Sequence, residues 1–269
     1  MSWPIPVTVC GALGRMGQRV VNAVAQHSKL SLSGAVEHPD CSDLGTDVGL
    51  LTGLGAIGVE ISGDLPQAAK NSRVYIDFTN PEAVIEHLDQ AKKMGLAAVI
   101  GTTGLDPGQV DIMTEYSKSV PIVWAPNMSL GVNLMYKVAK LMAMSLGPDF
   151  DIEIIEAHHR LKKDAPSGTA LKLHEVLAEA RRLDPAKSLV TGREGQIGAR
   201  TDDEIGVLAV RGGDIVGDHT VLFAGPGERL ELIHRATSRD TFAAGAVRSA
   251  VWIFDKKPGL YSLTDVLGL

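Results

Sequence analysis

The feature that most constrains this 269-residue chain is a glycine triplet close to its start. Ile5–Cys10 is a short run rich in β-branched residues; it ends at Gly11, and Gly14 and Gly17 follow before Val20, Val21 and Val24 recur at helical spacing. That order reads as strand, tight turn, helix. Glycines in such a turn let the backbone bend sharply and bring an anionic group up to helix N–H donors, as α/β proteins do with a dinucleotide pyrophosphate. The spacing GxxGxxG differs from GxGxxG in the position of the second glycine. Glu37 stands 20 residues beyond Gly17, at the end of the next strand-like run Leu30–Val36. A carboxylate there can accept both hydroxyls of an adenosine ribose. It repels a 2′-phosphate and so favours NADH, whereas His38 beside it and Arg15 in the loop offer positive charge and favour NADPH; both stay open.

Three further strand-like runs, Arg73–Phe78, Leu96–Ile100 and Pro121–Trp124, alternate with helical patterns. Asn80 and Pro81 supply an N-cap and first residue for a helix with Val84, Leu88 and Ala91 inward, and Asp111–Ser117 lies in the next helix. Such alternation implies a parallel sheet covered on both faces. Asp77-Phe78-Thr79 and Gly101-Thr102-Thr103-Gly104 end two of the strands, where ligands of open α/β sheets lie. The Gly- and Asp-rich stretch His38–Gly63 reads as irregular. From Leu130 the pattern changes. A long helix carrying Leu134, Val138, Leu141 and Met142 leads to a strand Asp151–Ala157, a basic loop, and a helix with Leu173, Val176, Leu177 and Ala180 on one face. Three runs follow, Ile205–Val210, His219–Phe223 and Leu230–Ile233, joined by Gly-rich turns without a crossover helix, which predicts an α+β unit with an open mixed or antiparallel sheet. A final helix near Thr241–Phe254 could pack on either part. No low-complexity linker separates the two parts, so any boundary is a tight hinge.

A net charge of -6 opposes nonspecific nucleic-acid binding, which needs clustered Lys and Arg. Small molecules are the expected partners. Cys10 and Cys41 are the only cysteines, too few for a disulfide framework or structural zinc; both read as ordinary buried thiols in a reduced compartment. With no secretion-signal pattern and no apolar run approaching the roughly 18 residues that span a bilayer, the cytoplasm is the expected location and no membrane contact is expected.

Against that acidic background, His158-His159-Arg160-Leu161-Lys162-Lys163 gathers five basic residues among six. Asp164-Ala165-Pro166-Ser167-Gly168-Thr169 follows at once; Ser167 can cap the next helix, with Gly168 and Thr169 at its positive end. This is a cradle for a carboxylate beside two kinds of proton donor, a histidine and a lysine. The alternative is a solvated basic loop before an ordinary cap. Metal ligation is not expected: His158 and His159 are adjacent and project differently, no HExxH occurs, and His174-Glu175 lacks a second histidine. His27, His87, His174 and His234 receive no role.

Taken together, GALGRMG at Gly11–Gly17, IDFTNPEA at Ile76–Ala83, GTTG at Gly101–Gly104, APNMSLGVN at Ala125–Asn133, EAHHRLKKDAPSGTA at Glu156–Ala170, RGGDIVGDHT at Arg211–Thr220 and TFAAGAVRSA at Thr241–Ala250 make the chain resemble the dihydrodipicolinate reductase family. The resemblance implies a Rossmann-type dinucleotide domain over residues 1–129, completed by 240–269, and a domain over 130–239 that binds substrate and builds a homotetramer through its sheet. It implies hydride transfer from NADH or NADPH to a cyclic unsaturated dicarboxylate, 4-hydroxy-tetrahydrodipicolinate, in diaminopimelate and lysine biosynthesis. Carried over by motif, Gly11, Ala12, Leu13, Gly14, Arg15 and Met16 would hold pyrophosphate, and Glu37 with His38 the adenosine ribose. Gly101, Thr102, Thr103, Ala125, Pro126, Asn127 and Met128 would hold the nicotinamide end. His158 and Lys162 would donate the proton; His159, Lys162, Ser167, Gly168 and Thr169 would bind substrate carboxylates. His38 stands where some relatives carry Arg, which bears on NADPH use alone. Two rival readings are another two-domain reductase of amino-acid metabolism, which would not need the basic loop, and a non-enzymatic dinucleotide sensor, which would bind cofactor without turnover.

Overall fold

The computed structural model describes residues 4–269. In chain order the elements are β1 (Ile5–Cys10), α1 (Gly17–Ala25), β2 (Leu30–Val36), α2 (Val48–Thr52), β3 (Ile61–Ser62), α3 (Leu65–Ala68), β4 (Val74–Asp77), α4 (Pro81–Met94), β5 (Ala97–Ile100), α5 (Pro107–Ser117) and β6 (Pro121–Trp124). Then come α6 (Leu130–Leu146), β7 (Asp151–His158), α7 (Gly168–Arg181), α8 (Pro185–Ser188), β8 (Leu189–Val190), β9 (Ile205–Arg211), β10 (Gly217–Gly225) and β11 (Glu228–Ala236). The chain ends with α9 (Asp240–Ile253), β12 (Gly259–Tyr261) and α10 (Leu263–Leu267). It divides into two compact units, one reaching Leu130 and resuming over Arg239–Leu269, the other Gly131–Ser238.

The first unit is a seven-stranded sheet in the order β12-β6-β5-β4-β1-β2-β3, every pairing parallel. All four residues of β4 and of β5 are buried, as unalternating apolar strands in the middle of a parallel sheet must be. One face packs on Val20, Val21 and Val24 of α1 and on Ala243, Ala246, Ala250 and Ile253 of α9. The other packs on Val84, Leu88 and Ala91 of α4 and Met113 of α5. The ends of α4 follow from its sequence: the Asn80 side chain accepts from the Ala83 N–H at 2.9 Å, Pro81 opens the helix, and Gly95, at φ 67°, ends it in the left-handed region that glycine tolerates. From β1 the chain steps outward through β2 and β3, then returns past β1 to build β4, β5 and β6. The order therefore reverses between β1 and β4, and the carboxyl ends share one edge. Within His38–Gly63, expected to be irregular, the chain forms α2 and the two-residue edge strand β3. The Asp47 carboxylate organises this stretch by accepting from the N–H groups of Gly49, Ile57 and Gly58.

The second unit is a five-stranded mixed sheet, β11-β10-β7-β9-β8, in which β7 runs parallel to β9 and antiparallel to β10. One face is covered by Met135, Ala139 and Ala143 of α6 and by Leu173 and Leu177 of α7, packed on Ile152, Ile154, Val207, Val221 and Phe223. The buried stripe of α6 is not the one its leucines marked. Leu134 and Leu141 are exposed, and Val132, Met135, Ala139 and Ala143 turn inward. The cause is that α6 is apolar on more than one side, so spacing alone does not choose the face. In α7, His174 and Ala178 join Leu173 and Leu177 on the buried side, while Val176 is half-buried. The thiols also divide: Cys10 is buried as expected, whereas Cys41 is only partly covered. Among the described residues no helix is long and apolar enough to cross a membrane.

Candidate active site

In the first unit the glycine turn leaves the end of β1 at the point where strand order reverses. Gly11, at φ 69°, donates from its N–H to Val36 O at 2.8 Å, and Gly14 donates to Gly11 O at 3.0 Å. A Cβ on Gly17 would lie 1.8 Å from Gly11 O, so the third glycine is what allows α1 to start against the turn. Glu37 reaches back across the sheet edge: its Oε1 accepts from the Leu13 N–H at 2.6 Å and its Oε2 from the His38 N–H at 3.3 Å. The carboxylate that the sequence assigned to a ribose thus also braces the loop assigned to pyrophosphate. Arg15 and His38 are exposed, and the His38 Nδ1 accepts from the Asp40 N–H at 3.2 Å.

Beside this turn, β4 ends in Asp77, which is fully buried. Its Oδ1 accepts from the Thr79 N–H at 2.8 Å and the Thr79 hydroxyl at 2.5 Å, and its Oδ2 pairs with His87 Nδ1 at 2.7 Å. Thr79 O in turn accepts from the Thr102 hydroxyl at 3.1 Å, and a Cβ on Gly101 would strike the Phe78 ring at 2.2 Å. The β4 and β5 loops are therefore fitted to each other, with Thr103 on the exposed side. The segment Ala125–Met128 follows β6: Ala125 N–H donates to Ile100 O at 3.1 Å, Asn127 Oδ1 accepts from the Ser129 N–H at 2.9 Å, Pro126 is exposed, and Met128 is buried. α9 supports it from below, because Gly245 leaves room for Met128 O where a Cβ would lie 1.8 Å away. One potential ligand atom each of Cys10, Asp77 and His87 lie within 4.8 Å of one another. Burial first, and then the charges of Asp77 and Glu37, push the Cys10 thiol well above its ordinary pKa, and Asp77 is already engaged by Thr79 and His87. The Asp77–His87 pair thus lies against Cys10, directly before the glycine turn.

In the second unit the basic loop leaves β7 at His158, whose register partner on β9 is Arg211. The loop is tied to the end of β9 by main-chain bonds, Gly212 N–H to His158 O at 3.0 Å and Arg160 N–H to Gly213 O at 3.1 Å. Glu156, wholly buried two residues earlier, accepts from both terminal nitrogens of Arg211 at 2.8 Å, from the Ser167 N–H at 3.0 Å, and pairs with His158 Nδ1 at 2.6 Å. Arg211 also donates to Asp164 O at 2.6 Å. Ser167 caps α7 as its sequence predicts, accepting from the Ala170 N–H at 3.2 Å, and its hydroxyl lies 3.2 Å from His219 Nε2. His219 packs edge-on against His158, with ring centroids 5.3 Å apart. Lys162 is paired with Asp164 at 2.8 Å, His159 is half-buried, and Gly168 is exposed with open space on its Cα.

The electrostatics of this cluster follow from burial. Desolvation lowers the His158 pKa below that of a free histidine, more than Glu156 raises it, with Lys162 and Arg211 adding to the lowering. His219 is pushed down to about 3, first by burial and then by His158, and stays neutral. For Glu156 burial alone would raise the pKa, but Arg211, His158 and the Ser167 N–H outweigh it and hold the carboxyl below its usual range.

A model of the dihydrodipicolinate reductase C-terminus matches residues 131–267, and one of the dihydrodipicolinate reductase N-terminus matches residues 5–128. The chain belongs to the dihydrodipicolinate reductase family. It is 53% identical over 264 residues to a 4-hydroxy-tetrahydrodipicolinate reductase of Pseudomonas fluorescens, covering 98% of each chain. It is 50% identical over 265 residues to one of Geobacter metallireducens, covering 98% of this chain and 99% of that one. Among solved structures it resembles a dipicolinate-bound dihydrodipicolinate reductase from a Paenisporosarcina species, with a TM-score of 0.77 and 30% identity over 96% of this chain and 97% of that one. An amine dehydrogenase from Mycobacterium smegmatis, at 14% identity and a TM-score of 0.62 over 96% and 95% of the two chains, shares the fold alone.

The structure gathers the glycine turn, Glu37, Gly101–Thr103 and 125–128 at one edge of the first sheet, and His158, Lys162, Ser167 and Gly168 at one end of the second. The sequence marked Asp77 only as part of a strand-end loop, and it gave no role to His87 in the first group or to Glu156, Arg211 and His219 in the second. One signal for Glu156 was available: in β7 the buried positions alternate Ile152, Ile154, Glu156, so the strand's own period carries a carboxylate to the inward face.

Proposed function

We propose that this chain reduces 4-hydroxy-tetrahydrodipicolinate to tetrahydrodipicolinate with NADH or NADPH, in the route to diaminopimelate and lysine. The observation that carries this reading is the 53% identity, over 98% of both chains, to a reductase of that name. The cofactor fits the first unit on local grounds: the turn holds Gly11 at φ 69° and closes against Gly17, whose Cβ would lie 1.8 Å from Gly11 O, at the strand-order reversal, with Glu37 just beyond the end of β2. Gly11–Met16 hold the pyrophosphate, Glu37 the adenosine ribose with His38 beside it, and Gly101–Thr103 with 125–128 the nicotinamide end. A bound reduced nicotinamide supplies the hydride.

The substrate is a ring with two carboxylates, and the dipicolinate held by the Paenisporosarcina enzyme has that form. His159, Lys162, Ser167, Gly168 and Thr169 hold the carboxylates, drawing on the positive end of α7 and on the basic loop. His158 and Lys162 form the pair that supplies the proton; the C4–OH bond breaks and the hydroxyl leaves as water, so substrate, reduced cofactor and one proton give tetrahydrodipicolinate, oxidised cofactor and water. The outer face of the second sheet bears Ile155, Val210 and Ile233, which are 39%, 49% and 44% exposed, and we place the interface of a homotetramer there. The enzyme works in the cytoplasm.

The test uses substrate generated freshly from pyruvate and aspartate semialdehyde, with NADH consumption followed by absorbance. The wild-type chain turns over; binding of NADH without turnover would instead identify a sensor. Replacing His158 with Gln and Lys162 with Met together should lower turnover by about 10² to 10⁴ and leave NADH binding intact. Full activity in the double variant rejects the assignment.

A further inference from the structure

Glu156 is an expensive residue to keep. A carboxylate with no exposure loses its hydration, and this one recovers it through four donors: two from Arg211, one from Ser167 N–H and one from His158 Nδ1. Its spacing puts it where it can act on the histidine. Residues two apart on a strand project to one face, so Glu156 and His158 leave β7 on the same side, and the carboxylate meets the ring at Nδ1. Arg211, the register partner of His158, donates to both oxygens of that carboxylate from its two terminal nitrogens, sharing Oε2 with His158, and fixes its plane.

The opposite ring nitrogen is treated differently. A Cβ on Gly217 would lie 3.1 Å from His158 Nε2, so glycine at this position keeps a side chain off that nitrogen. His219, edge-on at 5.3 Å, limits rotation of the ring, and its own Nε2 lies against the Ser167 hydroxyl. A ring anchored at Nδ1 by a carboxylate, wedged by a second ring, and kept clear of a side chain at Nε2 is held in one orientation, with its proton on Nδ1 when neutral.

We infer that Glu156 is a positioning residue for the reaction: clamped by Arg211, it holds the His158 proton on Nδ1 and presents Nε2 as the atom that exchanges a proton at the substrate. The same carboxylate accepts from the Ser167 N–H, so it sets the proton-handling ring and the start of the carboxylate-binding helix in one frame. The inference rests on the role proposed for His158. The charged and titratable groups facing His158 are Glu156 on β7, Lys162 in the following loop, Arg211 on β9 and His219 on β10. Of these Glu156 alone carries negative charge, and it alone favours the imidazolium.

The experiment is a double-mutant cycle of Glu156→Gln and His158→Gln in the full-length enzyme, read as kcat, KM for substrate, Kd for NADH and the pH profile of kcat. Glu156→Gln should lower kcat by about 10²-fold with Kd for NADH unchanged, and should move the His158 limb of the profile to lower pH. In the His158→Gln background the same change should cost less than about twofold, because a residue that acts through His158 has nothing left to act on. Glu156→Asp, which keeps the charge and shortens the reach, should recover part of the activity and most of the pH profile. Costs that multiply independently, or a pH limb that does not move, overturn the inference. If Glu156→Gln does not fold, Arg211→Lys carries the same cycle, since it keeps the charge and loses the two-point grip; additivity with His158→Gln overturns the inference there too. A His158→Gln variant with full activity would instead defeat the role proposed for His158, a result distinguishable from failure of the cycle.

Discussion

Gly17→Ala should damage cofactor binding and stability together, and the size of the effect can be worked from the turn. A Cβ at Gly17 would lie 1.8 Å from Gly11 O, 2.7 Å from Gly11 C and 2.9 Å from Ala12 C. All three are main-chain atoms, so no rotamer change relieves the overlap; either α1 backs away from β1 or the turn opens. Overpacking of this kind costs about 3 kcal/mol, offset by about 1 kcal/mol because alanine is the better helix former. A net loss of about 2 kcal/mol lowers Tm by about 4 to 8 °C for a unit of this size. If the same displacement is felt by the pyrophosphate, affinity for NADH falls by about 30-fold. Gly14→Ala is the internal control: its Cβ would lie 3.1 Å from the same oxygen, a contact that a few tenths of an ångström relieve, so Tm should move by less than about 2 °C. Thermal unfolding and titration of NADH by nicotinamide fluorescence measure both. A Gly17→Ala protein with wild-type Tm and wild-type Kd would refute the claim that the third glycine is required by contact with the turn.

Acid should destabilise the fold through its buried histidines. His219 has a folded pKa of about 3 against 6.5 when exposed, so between those values the unfolded chain binds a proton that the folded chain refuses. Stability therefore falls as pH drops through that window and is fully present above 6.5. At pH 5 this one group accounts for about 2 kcal/mol. Urea unfolding at pH 7 and pH 5 should show His219→Gln losing less stability than wild type by about that amount, and equal losses would rule the mechanism out. Glu37→Ala removes both the ribose acceptor and the partner of the Leu13 N–H. The ratio of kcat/KM for NADPH over that for NADH should rise by about tenfold, as initial rates with each cofactor will show; an unchanged ratio would mean that Glu37 serves the loop alone.

Much of the architecture was legible because its signals are local. The β-branched run before Gly11, the Asn80-Pro81 opening of α4 and the cap at Ser167 each act within a few residues, and each appears where its spacing indicated. The basic loop between Ala157 and Ser167 was equally readable, since charge density in an acidic chain needs no structure to be seen. Where local signals conflict, reading stops short. In α6 apolar residues lie on several sides, and the packing of the second sheet chose Met135, Ala139 and Ala143 over Leu134 and Leu141.

The chain by itself determined its alternation of elements, its glycine turn and the residue types available for chemistry, because periodicity, caps and composition are properties of neighbouring residues. Only the tertiary structure decided which of them meet. The β7–β9 and β7–β10 registers bring Arg211 and His219, more than fifty residues away in sequence, onto Glu156 and His158, and the parallel pairing of β1 with β4 sets Asp77 and His87 against Cys10, directly before the glycine turn. Such contacts depend on strand order and register, which arise from burying both faces of a sheet at once and leave no mark in any short window of sequence.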